Sequence, residues 1–293
     1  MLPLVIVTAL FAGVAALREV AAWRLARAID AQHPRGADGV VVGAESFEMA
    51  PAPGSHHRGA VLALHGFGDT PQTVRYLAEA LAARGWFVRA PLLPGHGRTI
   101  AEFARTRSAD WLAAVREEYA SMSAKSDHTV VLGVSMGGAL ATILAAESPD
   151  LPALVLIAPY LAMPRWLALI AMFAPVLGIG VRYMVGGGVR SITDPVEAER
   201  NLAYGAVTPR LVAELRRVVV LAQAAEPKVR APVLFIQSHH DNRIAPEAAE
   251  AAFARLGSSE KQLVWVDKGT HIITVDVGRD IVIGKVADWL DNR

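Results

Sequence analysis

The sequence predicts an α/β fold: a mostly parallel, doubly wound sheet with a helical segment inserted between two of its strands. Three observations predict it. Short apolar runs alternate with stretches of helical period from residue 40 to the C-terminus. Several of those runs, such as Ala60 to Leu64 and Ala153 to Ala158, are continuously apolar, as strands covered on both faces are. The alternation stops at Pro159 and resumes at Pro232. A chain of 293 residues suits one large domain, or one domain with an insertion, and can bury a full core.

Composition excludes several classes. A net charge of +1 and the lack of a long basic run give no footing for a nucleic-acid partner. Without cysteine there are no disulfides, thiolate nucleophiles or cysteine metal sites, although the compartment stays open. The hydrophobic fraction of 53% is high for a soluble enzyme. Two stretches account for it, the N-terminus and residues 160–185.

Leu2 to Leu17 carries no charge. As a helix it would be about 24 Å long, short of a roughly 30 Å hydrocarbon core. Running on to Trp23 makes up the difference, with Arg18 and Glu19 at the interface. A signal peptide would place basic residues before the apolar run and a small-residue cleavage site after it. Here Arg18, Arg24 and Arg27 follow the run instead. Residues 1–29 are therefore expected to form a transmembrane anchor helix, with the catalytic body on the cytoplasmic side by the positive-inside rule. A cleaved leader to the periplasm or outside, and a helix packed on the core, are the rivals.

Asp30 to Gly39 reads as a linker, rich in turn formers. Val40 to Met49 is expected to be the first strand, and Pro51 to Gly59 a turn. After the strand ending at Leu64 comes His65-Gly66-Phe67-Gly68-Asp69. Thr70 is expected to cap a helix with Pro71 at its first position, ended by Gly85. Trp86 to Ala90 is the next strand, followed by a loop with Gly95-His96-Gly97, and Ser108 to Ser123 is helical. Thr129 to Leu132 is a strand and Ala139 to Glu147 a helix. Beyond the insertion, Val233 to Gln237 and Gln262 to Val266 are strands, and Ala245 to Leu256 and Arg279 to Leu290 helices. The core is thus 40–159 with 228–293, and the insertion 160–227. The first half of the insertion is apolar, with Trp166, Met172, Phe173 and Leu177, and Gly186-Gly187-Gly188 breaks it. Such an insertion suggests a lid for a greasy substrate; a satellite core is the bland alternative.

Between the strand and helix at 129–147 lies Gly133-Val134-Ser135-Met136-Gly137. A serine on so sharp a strand-to-helix turn has a strained backbone, and its neighbours two residues away come too close for a β-carbon. Its hydroxyl is lifted out at a helix N-terminus, where developing negative charge is favoured. Ser135 is the candidate nucleophile.

A serine needs a base, and the base an orienting group. In an open α/β sheet, active residues gather at the carboxyl ends of strands. Of the nine histidines, that keeps His65, His239, His240 and His271. His33, His56 and His57 sit in the linker and turn, and His128 precedes its strand. Only His271 lies on a Gly-containing loop after the last strand, which suits the order serine, acid, histidine. Asp241 follows the preceding strand, on an adjacent loop. His65 reads as a loop-fixing residue. His239-His240-Asp241 has the look of a metal cluster, but no second ligand set accompanies it, so no metal is expected. Asp276 is an alternative acid that more naturally caps a local turn. The oxyanion donors are expected to be the backbone N–H groups of Met136 and Phe67.

With these motifs in place the chain resembles the α/β-hydrolase family, and within it bacterial monoacylglycerol lipases and related carboxylesterases. His65 to Pro71 is similar to that group's oxyanion loop, Leu93-Pro94-Gly95-His96-Gly97 to another of its loops, and Gly133 to Gly138 to its elbow. Ser258 to Lys261 and Thr270-His271 are similar too, so the likeness runs over about residues 45–290. It implies a serine ester hydrolase acting on monoacylglycerols or small carboxylic esters, with no cofactor. The same triad would serve a thioesterase or lysophospholipase. A catalytically silent, membrane-attached binding protein is the rival of another class. Oligomeric state is not legible.

Overall fold

The computed structural model describes residues 2–186 and 191–293. Helix α1 (Leu2–Asp30) precedes a short strand, β1 (Phe47–Met49). The sheet builds through β2 (Gly59–Leu64), β3 (Trp86–Ala90), β4 (Thr129–Val134) and β5 (Leu154–Ile157). Helices α2 (Arg75–Ala83), α3 (Ile100–Phe103), α4 (Ser108–Ser123) and α5 (Met136–Glu147) join them. The insertion follows with α6 (Arg165–Met172), α7 (Ala174–Gly180), β6 (Met184–Val185), α8 (Pro195–Arg200), β7 (Ala206–Val207) and α9 (Pro209–Ala225). The chain returns to the sheet through β8 (Val233–Ser238), α10 (Pro246–Arg255), β9 (Lys261–Val266) and α11 (Arg279–Leu290).

Among the described residues the main sheet has seven strands in the order β1-β3-β2-β4-β5-β8-β9. Every neighbouring pair is parallel except β1 with β3. Side chains alternate between faces, as the period of two requires. Leu62, Leu64, Val131, Leu154, Leu156 and Phe235 join a core with α4, α5 and α9. Val61, Ala63, Val130, Leu132, Val155 and Ile236 join a second core with α2 and α11. Each fully buried Leu, Ile or Val stabilises by roughly 1.5–3 kcal/mol over its exposed state. Strands buried on both faces therefore need an apolar residue at nearly every position. Register then sets the site. Leu64 pairs with Gly133, Val134 with Ile157, and Ile157 with Ile236. The loops after β2, β4, β5 and β8 thus leave one edge of the sheet together.

The structure departs from expectation in several places. The expected strand from Val40 shrinks to Phe47–Met49. Asp38 Oδ1 accepts from the Val40 N–H at 3.0 Å, and Gly43 takes a positive φ of 92°. Turn chemistry there outcompetes the ladder. Thr70 makes no side-chain cap, and Pro71–Val74 is a 3₁₀ turn before α2. Residues 31–46 are tied to the body, with the Val41 N–H donating to Gly97 O at 2.7 Å. Asp30 Oδ1 accepts from the Ile100 N–H at 2.9 Å and from Arg35 Nη2 at 3.0 Å.

Among the described residues no helix is long and apolar enough to cross a membrane, so the expected transmembrane helix is not supported. The charges of Arg18, Glu19, Arg24 and Arg27 interrupt its second half. Ile29 is buried in the core, with Leu25 and Ala26 packed beside it. In the insertion, α6 and α7 pack against α9. Of the expected glycine break, Gly187 and Gly188 lie outside the described residues.

Candidate active site

Strand β4 ends and α5 begins with Ser135 between them, at φ 53° and ψ −118°. A positive φ strains a residue that has a β-carbon. The surroundings hold it there. The Ser135 N–H donates to Ile157 O at 3.1 Å, and the Ser135 carbonyl accepts from the N–H groups of Tyr160 at 2.9 Å and Ala139 at 3.2 Å. A β-carbon at Gly133 would run into the Gly137 carbonyl, and one at Gly137 into the carbonyls of Leu64 and His65. The glycines are therefore required by close backbone approach.

His271 Nε2 lies 2.8 Å from Ser135 Oγ, and His271 Nδ1 lies 2.9 Å from Asp241 Oδ2. The carboxylate partner calls for the proton on Nδ1, which leaves the Nε2 lone pair for the serine O–H. Asp241 is buried. Burial alone raises its carboxyl. The His271 charge and hydrogen bond, with the N–H groups of Arg243 and Ile244, outweigh burial and hold it below its ordinary value. Those N–H groups donate to Oδ1 at 2.7 and 2.9 Å. A hydroxyl, an imidazole and an ionised carboxylate in one line can take a proton from oxygen as it attacks a carbonyl.

Met136 follows Ser135 in the chain, and Phe67 follows Gly66. Met136 opens α5, so its N–H has no carbonyl one turn back. Phe67 sits in the loop after β2. A β-carbon on its neighbour Gly66 would lie 3.3 Å from Ser135 Cβ and 3.7 Å from Ser135 Oγ, so this loop is in van der Waals reach of the serine. His65 staples the loop in place. Its Nδ1 lies 2.9 Å from Gly66 O, and its Nε2 accepts from the Leu93 N–H at 3.1 Å. Burial pushes the His65 pKa down to about 4, so the ring stays neutral and keeps its acceptor.

The other candidates have different partners. Asp276 accepts from Thr193, Asp194, Thr270 and Val277. His239 pairs with Asp267 at 2.6 Å and stacks on Trp265 at 4.6 Å. Among the described residues no group of His, Cys, Asp and Glu is arranged to hold a metal.

Sequence reasoning missed several supports. Gln237 Nε2 donates to Asp241 Oδ2 at 2.8 Å; its signal was a polar residue closing an apolar strand. His96 packs on Phe103 and on Phe67 of the loop after β2. Tyr204 reaches back from the insertion. Its hydroxyl donates to Gly95 O and accepts from the Arg98 N–H, both at 2.9 Å. Nothing local in the sequence marks Tyr204, because its partners are about a hundred positions away.

Comparison with known proteins agrees with this fold. Residues 55–278 match the family Hydrolase_4, described as serine aminopeptidase, S33. The thermostable monoacylglycerol lipase of Bacillus sp. (strain H-257) is 32% identical over 257 residues, covering 85% of this chain and 95% of that protein. The carboxylesterase of Bacillus subtilis (strain 168) is 27% identical over 234 residues, covering 79% and 92%. A solved structure from work on LipS and LipT, two metagenome-derived lipolytic enzymes, superposes with a TM-score of 0.78. It is 30% identical and covers 87% of this chain and all of its own. The Paleococcus ferrophilus monoacylglycerol lipase, 21% identical with a TM-score of 0.71 over 84% and 97% of the two chains, shares the fold. The chain belongs to the Hydrolase_4 family of α/β-hydrolases and is a serine hydrolase of carboxylic esters.

Proposed function

We propose that this chain hydrolyses monoacylglycerols or closely similar lipid esters through an acyl-enzyme on Ser135. In this reading Ser135 Oγ attacks the ester carbonyl while His271 Nε2 takes its proton. Asp241 holds the imidazole tautomer and stabilises the imidazolium. The N–H groups of Phe67 and Met136 receive the oxyanion. His271 returns the proton to the departing alcohol, then activates the water that releases the acid. The observation that carries this is the hydrogen-bonded line from Asp241 through His271 to Ser135, 2.9 and 2.8 Å long, on a strained elbow. The substrate class rests on the Bacillus monoacylglycerol lipase. The test is a panel of glycerol, choline and thio esters on the wild type and Ser135→Ala. Preference for monoacylglycerol, lost in the variant, supports the proposal. Preference for a thioester or lysophospholipid replaces the substrate class and keeps the triad. No turnover of any ester favours a binding protein.

We also propose that the enzyme works at a lipid surface, on the cytoplasmic face, attached at the interface rather than by a spanning helix. Trp166, Met172 and Phe173 are 62, 57 and 52% exposed, so the apolar side of the insertion points outward instead of packing on the sheet. Leu17 and Trp23 of α1 are exposed as well. Arg182 Nη1 pairs with Glu19 at 2.8 Å, which joins the insertion to α1. Apolar side chains beside Arg24 and Arg27 suit an interface with anionic lipid. Flotation of the full chain with phosphatidylglycerol vesicles should be lost in Trp166→Ser/Phe173→Ser, with hydrolysis of a short soluble ester unchanged. Equal flotation of both proteins, or a trimmed chain in the periplasm, would contradict it.

A further inference from the structure

Asp276 is a completely buried carboxylate with no part in the proton line, and it is saturated with donors. Its Oδ1 accepts from the Thr193 N–H at 2.8 Å, the Thr193 hydroxyl at 2.7 Å, the Asp194 N–H at 2.8 Å and the Val277 N–H at 2.8 Å. Its Oδ2 accepts from the Thr270 N–H at 2.8 Å and the Thr270 hydroxyl at 3.1 Å. Burial raises the carboxyl. The bonds from Thr270, Thr193, Asp194 and Val277 together outweigh burial and hold it below its ordinary value, so it stays charged.

Thr270 and Ile272 are the two neighbours of His271 in the chain. Thr270 hangs from Asp276. The Ile272 N–H donates to Ser191 O at 3.0 Å. Both sides of the base are therefore tied to one short stretch, Ser191 to Asp194, which belongs to the insertion and not to the sheet. Ser191 also accepts on its hydroxyl from Arg243 Nε at 2.9 Å. Arg243 in turn donates its backbone N–H to Asp241. Ile192, Ile272 and Val275 close a small apolar cluster over these bonds. The loop of the base and the loop of its acid thus share a support from the insertion, beside the one that β8 gives through Ser238, whose hydroxyl donates to Gly269 O at 2.6 Å and accepts from the His240 N–H at 3.0 Å.

We propose that Ser191–Asp194 and Asp276 form a positioning latch, through which the seating of the insertion sets the placement of His271 against Ser135. This rests on the assignment of Ser135 and His271 as nucleophile and base. Charge-assisted bonds to a buried carboxylate are among the stronger ones available. A misplacement of about 1 Å at a reacting group can cost on the order of 100-fold in rate. The latch residues bond one another and not Ser135, so their loss should lower kcat and leave KM for a short ester alone.

Thr193 is exposed, so Thr193→Val removes one donor with little risk to folding. Kinetics on a short soluble ester should show kcat down by roughly 10-fold with KM unchanged, and Asp276→Asn should lose on the order of 100-fold. The rate of fluorophosphonate labelling should fall in parallel. The low-field proton resonance of the His271 Nδ1–H, donated to Asp241, should broaden or shift in Thr193→Val. Thr193→Val and Thr270→Val should combine non-additively in kcat, because both act through Asp276. Lowered melting temperatures with wild-type kcat, labelling rate and imidazole resonance would show a purely structural staple and overturn the proposal. If Asp276→Asn does not fold, Thr193→Val alone decides by the same readouts. Ser135→Ala and His271→Ala separate the two levels. Should either keep its activity, the parent assignment fails. Should both be inactive while Thr193→Val matches the wild type, only the latch fails.

Discussion

Asp69 offers a prediction whose size and sign both come from the structure. It lies in the loop that carries Phe67, is 5% exposed, and its Oδ1 is buried with no hydrogen-bond partner among the described residues. Burial pushes its carboxyl up to about 7. An unfolded chain releases this proton near the ordinary value of about 3.9. Between those two values the folded chain holds a proton that the unfolded chain has lost. Stability therefore falls as pH rises through that window. At about 1.4 kcal/mol per unit the total is about 4 kcal/mol. Asn has nearly the same shape and cannot ionise, so Asp69→Asn should match the wild type near pH 4 and exceed it by about 4 kcal/mol at pH 8. In a chain of this size that is a rise in melting temperature of roughly 8 °C. His65 supplies a slope of the opposite sign between about 4 and 6.5, since burial keeps its ring neutral when folded. That slope is common to both proteins and cancels in the difference. Urea melts of the two proteins from pH 4 to pH 8 measure it directly. A difference independent of pH, or a variant less stable at pH 8, would refute the reasoning.

Three further outcomes are expected. Asp241→Asn should fold and lose about 10⁴-fold in kcat, because Nδ1 would no longer be held in the productive tautomer; a mild effect there with a more severe one in Asp276→Asn would move the acid to Asp276. Arg255→Met should destabilise by about 3 kcal/mol in urea melts, since it strips the partner from the fully buried Glu226, and Glu226→Leu in the same chain should recover much of the loss. Ester hydrolysis should survive a strong chelator undiminished, and recovery of a lost activity by added zinc would revive the His239, His240 and Asp241 metal site.

Much of the site was legible because its constraints are local. Gly133, Ser135 and Gly137 report a close approach that any side chain would block. Ala60 to Leu64 and Val233 to Gln237 report strands covered on both faces. The order of Ser135, Asp241 and His271 along the chain follows from strand ends in a parallel sheet. The parts that were not legible depend on distant partners or on competing turn chemistry. Val40 to Ser46 has strand-like residues, yet Asp38 and Gly43 turn the backbone first. Thr70 has the residue type of a cap, but the chain enters α2 through a 3₁₀ turn. Tyr204 holds the loop at residues 95–98 from inside the insertion. Asp276 resembles a local turn former in sequence, and half of its donors come from Thr193 and Asp194, some eighty positions away. The first half of the insertion is apolar in sequence, but only the fold shows that Trp166, Met172 and Phe173 are exposed.

Ser135 is proposed as the single nucleophile of this ester hydrolase. Titration of the full chain with a fluorophosphonate, followed by intact mass and peptide mapping, tests it most directly. One adduct per chain, located on Ser135 and formed in step with the loss of ester hydrolysis, is the predicted result. An adduct on another residue, or hydrolysis that continues in the fully labelled protein, would contradict the claim.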